Sequence, residues 1–227
     1  SIGGKTGIDL PSGKNQAGAF HQPAAVFADL ALLGGLDARQ VSSGLAEIVK
    51  GAVLADPASV AQIERSLGRI RAGDLGPTLT AVALKAEVKA RVVSLDEHER
   101  GLRELLNYGH TFGHAYEAAM GYRVTHGEAV AVGLVYATEL AVRLGLTATA
   151  LRERVEAMLV AAGLPIRARV PERTWGFLTK DKKIRAGKVR WILPRRIGRF
   201  SEVTDVAERL LRETARYVES APRPAVA

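Results

Sequence analysis

Apolar residues recur along most of this chain at the three-to-four spacing of helices packed on a core. The pattern predicts a helix through 41–50, opened by Asp37 with Gln40 three residues on in the manner of a capping box. Two further helical stretches follow at 57–71 and 76–95, the second with Leu84, Val88 and Val92 on one side and Lys85 and Lys89 offset from them. A helix is expected to begin at Asn107 and stop at Gly121. The run from Ala129 to Leu146 is apolar nearly all round, which predicts a buried central helix. Residues 148–162 read as an amphipathic helix and 204–219 as the last one. Alternation near 188–193, a turn at 195–198 and the run 199–203 predict a β-hairpin. Residues 1–23, rich in Gly and Lys, read as an extended loop, and Ala24–Asp29 as a short buried strand.

The organisation that follows is mainly α. A helical domain with a small β-hairpin occupies 37–220, the end of an α/β domain occupies 1–36, and a disordered tail occupies 221–227. Ser1 stands inside a glycine-rich turn, without an initiator Met, so the chain reads as a fragment or processed product with sequence upstream.

Composition narrows the chemistry. The 227 residues are 47% hydrophobic and 25% charged, with no long uncharged apolar run, so no membrane span is expected. There are no cysteines, so a transition-metal site must draw on His, Asp and Glu, and a cytoplasmic setting is expected. The net charge of +8 is what nucleic-acid binding, an anionic small substrate or simply an arginine-rich surface would each give. Aromatics are only 5% and no basic stripe interleaves with them, which argues for a small anion rather than nucleic acid.

Three of the five histidines, His110, His114 and His126, fall close together. His110 and His114 stand four apart, on one helix face. Glu47 lies between Leu45-Ala46 and Ile48-Val49, where an idle carboxylate would be costly. One carboxylate with two or three imidazoles is the ligand stock of an open catalytic zinc site. Lys50 shares a face with Glu47. Gly3-Gly4-Lys5-Thr6-Gly7 and Gly13-Lys14-Asn15 lack P-loop spacing but could bring backbone and ammonium groups to a phosphate or carboxylate. Lys89 and Arg103 are further candidates for anion recognition, whereas His98, among acidic neighbours, reads as a surface residue.

The segments G-G-K-T-G, G-K-N-x-x-G-A-F-H-Q-P, A-E-I-V-K, G-L-R-x-x-L-N-Y-G-H-T-F-G-H-A, H-G-E-A-V and D-K-K occur here in that order. Together they resemble the 3-dehydroquinate synthases, within the sugar-phosphate cyclases, over residues 1 to about 200. The resemblance implies an N-terminal Rossmann-like NAD-binding domain, a helical C-terminal domain and an active site between them. It implies NAD and a metal, Zn2+ or Co2+, as cofactors. The substrate would be 3-deoxy-arabino-heptulosonate 7-phosphate, and the products 3-dehydroquinate and phosphate in the shikimate pathway. A homodimer is implied for the full-length protein. Carried over residue by residue, the metal ligands fall on Glu47, His110 and His126, and His114 becomes a substrate contact. Lys5, Asn15, Lys89 and Arg103 would hold the substrate's carboxylate, hydroxyls or phosphate. Lys50 and Asn107 would line the pocket, Lys14 and Asn15 would reach the phosphate or the cofactor edge, and Lys182 or Lys183 would close it.

Two departures stand out. Leu33-Gly34-Gly35-Leu36 replaces the usual L-x-T-L-P turn, losing a threonine near the cofactor. Gly51 stands where an aromatic often follows the A-E-x-x-K lysine. With most of the NAD domain missing, the fragment is expected to keep its metal site and to be inactive alone. Valiolone- or inosose-type cyclases, a metal-dependent polyol dehydrogenase and a basic helical binding module are the alternatives.

Overall fold

The computed structural model describes residues 2–10, 13–180 and 189–220. The first part is a two-stranded antiparallel ribbon, β1 (Lys5–Leu10) and β2 (Gly13–Phe20), pairing Lys5 with Phe20 and Ile8 with Ala17. This corrects the expected loop at 1–23. The ribbon has no alternating apolar face, so only its backbone ladder betrays it, and periodicity could not. The strand expected at Ala24–Asp29 does not form: the segment is exposed, with Phe27 93% accessible. Among the described residues no neighbouring strand offers it a ladder. Asp29 instead caps a 3-10 turn at Leu30–Gly35 through its side chain and the Ala31 amide.

Among the described residues, seven of eight α-helices fall where the hydrophobic pattern places them. They are α1 (Ala38–Ala55), α2 (Pro57–Arg71), α3 (Leu75–Leu95), α4 (His110–Ala119), α5 (His126–Arg143), α6 (Thr149–Ala161) and, after the hairpin, α8 (Glu208–Ser220). The eighth, α7 (Arg173–Lys180), is short and was not foreseen. The hairpin pairs β3 (Trp191–Arg196) with β4 (Arg199–Val203). Asp37 caps α1 by accepting the Gln40 amide at 2.8 Å. Contrary to the expected helix start at Asn107, the chain does not enter an α-helix there. A 3-10 turn spans Leu102–Asn107, and α4 starts only at His110. The break is Gly109, whose left-handed φ of 77° re-aims the chain.

The expectation for α5 holds: it is buried from Ala129 to Ala141. It packs against α1, α4, α6, α8 and β3. Phe112 of α4 stacks on Tyr136 at 3.8 Å, and Tyr136 on Trp191 at 5.5 Å. Each buried ring of this kind contributes about 1.5–3 kcal/mol. Helices α4 and α5 meet backbone to backbone: a Cβ on Gly133 would stand 1.9 Å from the Gly109 carbonyl oxygen. No described helix is long and apolar enough to cross a membrane. The tail at 221–227 lies outside the described residues.

Candidate metal and anion site

The site forms where the N-terminal turns of α4 and α5 meet the middle of α1. The Thr125 hydroxyl accepts the Glu128 amide, and the Glu128 carboxylate accepts the Thr125 amide, closing a capping box. The same carboxylate takes both arms of the Arg39 guanidinium at 2.7 Å, tying the start of α5 to the start of α1. The Gly127 amide donates to Ser43 Oγ at 3.0 Å, and the two backbones touch there. One turn beyond Ser43 on α1 stands Glu47, and beside Gly127 on α5 stands His126.

These contacts gather the histidines. The ring centres of His110 and His114 are 5.0 Å apart, those of His110 and His126 5.5 Å, and those of His114 and His126 5.8 Å. One nitrogen from each lies within 4.8 Å of the others. Glu47 Oε1 is 3.2 Å from His110 Nε2. Two ligands on a tetrahedral ion with bonds of about 2.0–2.1 Å lie about 3.3 Å apart, so this pair already has the spacing one ion requires.

Protonation supports the same use. His110 Nδ1 lies 3.2 Å from the Tyr108 carbonyl, an acceptor that can take the ring proton when Nε2 is given to an ion. Burial first, then the Lys50 charge, hold His110 neutral by pushing it down to about 3. His126 Nδ1 faces the buried Glu117 carboxylate at 3.5 Å, the outer-shell arrangement that turns an imidazole's other nitrogen toward a metal.

Glu47 is surrounded by cations. Lys50 Nζ donates to Oε1 at 2.9 Å and to the Leu106 carbonyl at 2.9 Å, and lies 3.3 Å from His110 Nε2. Lys85 Nζ pairs with Oε2 at 2.9 Å. Burial alone would raise the Glu47 carboxyl, but His110, Lys50 and Lys85 together hold it well below the usual carboxylate range. Lys50 is buried, and that burial pushes its ammonium down to about 7 against the pull of Glu47.

The anion-binding candidates converge beside this cluster. Half-buried Lys89 lies in the field of Lys85, Glu47, Arg103 and Lys5, and its pKa falls through burial first and the Lys85 charge next. Lys5 pairs with Glu99, which also accepts Asn107 Nδ2 at 3.2 Å. Arg103 is buried. Its guanidinium donates to the Gly3 carbonyl at 2.6 Å and to the Glu97 carbonyl, and its amide is held by Asp96 at 2.9 Å. One of its N–H donors thus ties the N-terminal turn to the helical body, and another holds the Glu97 carbonyl.

Lys5, Glu47, Lys50, Lys89, Arg103, Asn107, His110, His114 and His126 therefore share one region. The side chains of Lys14 and Asn15, and all of Lys182 and Lys183, lie outside the described residues. Sequence reading passed over Lys85, Glu99 and Glu117. Lys85 stands one turn before Lys89 and Glu117 two turns after His110, so helical spacing would have flagged both. Glu99 sits in an acidic run with no period to single it out.

The 3-dehydroquinate synthase C-terminal family matches residues 44–184, and the 3-dehydroquinate synthase N-terminal family matches 1–43. A 3-dehydroquinate synthase from Symbiobacterium thermophilum is 43% identical over 216 residues, covering 93% of this chain and 60% of its own length. The 2-epi-5-epi-valiolone synthase of Streptomyces hygroscopicus subsp. jinggangensis, solved with NAD+ and Zn2+ bound, superposes with a TM-score of 0.87 at 29% identity. That match covers 96% of this chain and 61% of the other. A 2-deoxy-scyllo-inosose synthase, complexed with carbaglucose-6-phosphate, NAD+ and Co2+, gives a TM-score of 0.81 at 28% identity, over 93% of this chain and 61% of that one. The chain thus spans about 60% of the length of these relatives. Its sequence over nearly its whole length, its helical fold and the order of its motifs agree, and the chain belongs to the 3-dehydroquinate synthase family.

Proposed function

We propose that this chain carries the metal and substrate-anion residues of a 3-dehydroquinate synthase, which converts 3-deoxy-arabino-heptulosonate 7-phosphate to 3-dehydroquinate and phosphate. The observation that carries the reading is the Glu47–His110 pair, spaced for one ion, beside a group of lysines and an arginine suited to a substrate with two anionic ends.

Glu47, His110 and His126 would hold the metal, Zn2+ or Co2+. The donor set fits: a carboxylate kept ionised, an imidazole kept neutral, and two imidazoles whose Nδ1 atoms each face an oxygen. When bound, NAD supplies reversible hydride removal from a substrate carbon, and the metal supplies Lewis acidity. The chain's own side chains bind and orient. His114, one turn beyond His110 and partly exposed, is assigned to the substrate by its place in the family motif. Lys50 is anchored by the Leu106 carbonyl beside Glu47 and His110, which sets its amino group at the floor of the site. The Lys5–Glu99 pair is half-exposed on the Lys5 side, so Lys5 can exchange Glu99 for a substrate anion at little cost. Lys89 and Arg103 neutralise the second anionic group.

The test is binding to the 227-residue protein. Loaded with Zn2+, it should bind 3-deoxy-arabino-heptulosonate 7-phosphate at least ten times more tightly than glucose 6-phosphate, which lacks the carboxylate. Glu47→Ala and His126→Ala should lose the metal. Equal binding of both sugars would overturn the substrate assignment, and full zinc retention in both variants would overturn the metal site.

A further inference from the structure

Gly51 lies in the buried interior of α1, where glycine weakens a helix, and it needs no unusual φ. The reason for it is across the groove. A Cβ built on Gly51 would stand 2.8 Å from Lys85 Cδ and 3.9 Å from Lys85 Cα. The stem of Lys85 runs over the bare backbone of α1 at this point, and its ammonium arrives at Glu47 Oε2, 2.9 Å away. The lysine side chain is only 16% exposed, so this is an enclosed path rather than a surface arm. Any side chain at 51 would fill the space the lysine uses.

The two oxygens of Glu47 are thereby given different tasks. Oε1 faces His110 Nε2 and Lys50, and Oε2 is held by Lys85. We propose that Gly51 and Lys85 act as a coupled positioning pair that locks the Glu47 carboxylate, so that it offers a single oxygen, Oε1, to a metal shared with His110. This rests on the reading of Glu47 as a metal ligand. A carboxylate held by one oxygen cannot swing to chelate with both, so the lock keeps a coordination position open for a substrate oxygen.

Co2+ reports on this directly, because its visible absorption weakens as the coordination number rises. The 227-residue protein, stripped of metal and titrated with Co2+, is compared with Lys85→Met, Lys85→Arg, Gly51→Ala and Glu47→Ala. Lys85→Met keeps the stem and removes the charge. Gly51→Ala favours the helix and leaves the charge, but pushes the lysine aside. Both should weaken and shift the Co2+ bands in the same way, the double variant should add nothing further, and Lys85→Arg should retain the parent spectrum. Parent spectra in both Lys85→Met and Gly51→Ala, with Co2+ binding lost in Glu47→Ala, would overturn the positioning pair and leave the metal reading standing. A parent spectrum in Glu47→Ala would overturn the metal reading itself.

Discussion

Replacing Gly127 by alanine tests whether the crossing of α1 and α5 sets the geometry of the metal ligands. The new Cβ would sit 2.0 Å from the Ser43 carbonyl oxygen and 2.4 Å from Ser43 Cα. Ordinary non-bonded contact needs about 3.5 Å, so the backbones must part by about 1.5 Å. Overpacking of this kind costs about 1–3 kcal/mol, and the strained Gly127–Ser43 hydrogen bond adds about 1 kcal/mol. At this chain length each kcal/mol lowers Tm by about 2–4 °C. The larger effect falls on the metal. His126 adjoins Gly127, Glu47 is one turn from Ser43, and ligand positions tolerate only about 0.2 Å. Zinc affinity, read by competition with a chromophoric chelator, should fall about 10–100-fold, as when an outer-shell partner is lost. Gly44→Ala is the control. Nothing lies within 4 Å of its Cβ, so it should bind zinc as the parent does and gain up to about 1 kcal/mol of helix stability. Parent zinc affinity in Gly127→Ala would refute the claim that this contact sets the site.

The histidine roles separate by assay: His110→Ala should lose both zinc and binding of 3-deoxy-arabino-heptulosonate 7-phosphate, whereas His114→Ala should keep zinc and lose substrate binding, with metal content and binding measured on the same preparations. Glu117→Gln should weaken zinc binding about 10–100-fold through His126 alone, and unchanged affinity would remove Glu117 from the site. Asp96 accepts the Arg100, Arg103 and Gly101 amides, which hold its carboxyl below the usual value. A depressed folded pKa contributes stability that is fully present above the unfolded value of about 3.9 and is lost as pH falls through the folded one. Melting curves between pH 6 and pH 2 should therefore show a smaller acid loss for Asp96→Asn than for the parent, and parallel profiles would refute the assignment.

Much of the helical body was legible because burial of one face writes the three-to-four period into helices such as α1 and α2, while burial all round makes α5 a continuous apolar run. Where no face is buried the signal is absent. The β1–β2 ribbon is held mainly by its backbone ladder, and Ala24–Asp29 has apolar residues but no partner strand among the described residues. Gly109 illustrates a second limit: a left-handed residue between a 3-10 turn and α4 carries no hydrophobic period, yet it decides where His110 points.

The sequence by itself determined the family, the helical class and the identity of the chemical groups, because motif residues and their order survive in one dimension. It could not determine which groups meet. Glu47 and His110 are brought to 3.2 Å by the packing of α1 on α5 and α4 on α5, and that packing depends on glycines whose lack of a side chain matters only across the interface. The same holds for Lys85, in sequence only a polar position of α3 until Gly51 on α1 opens the way to Glu47.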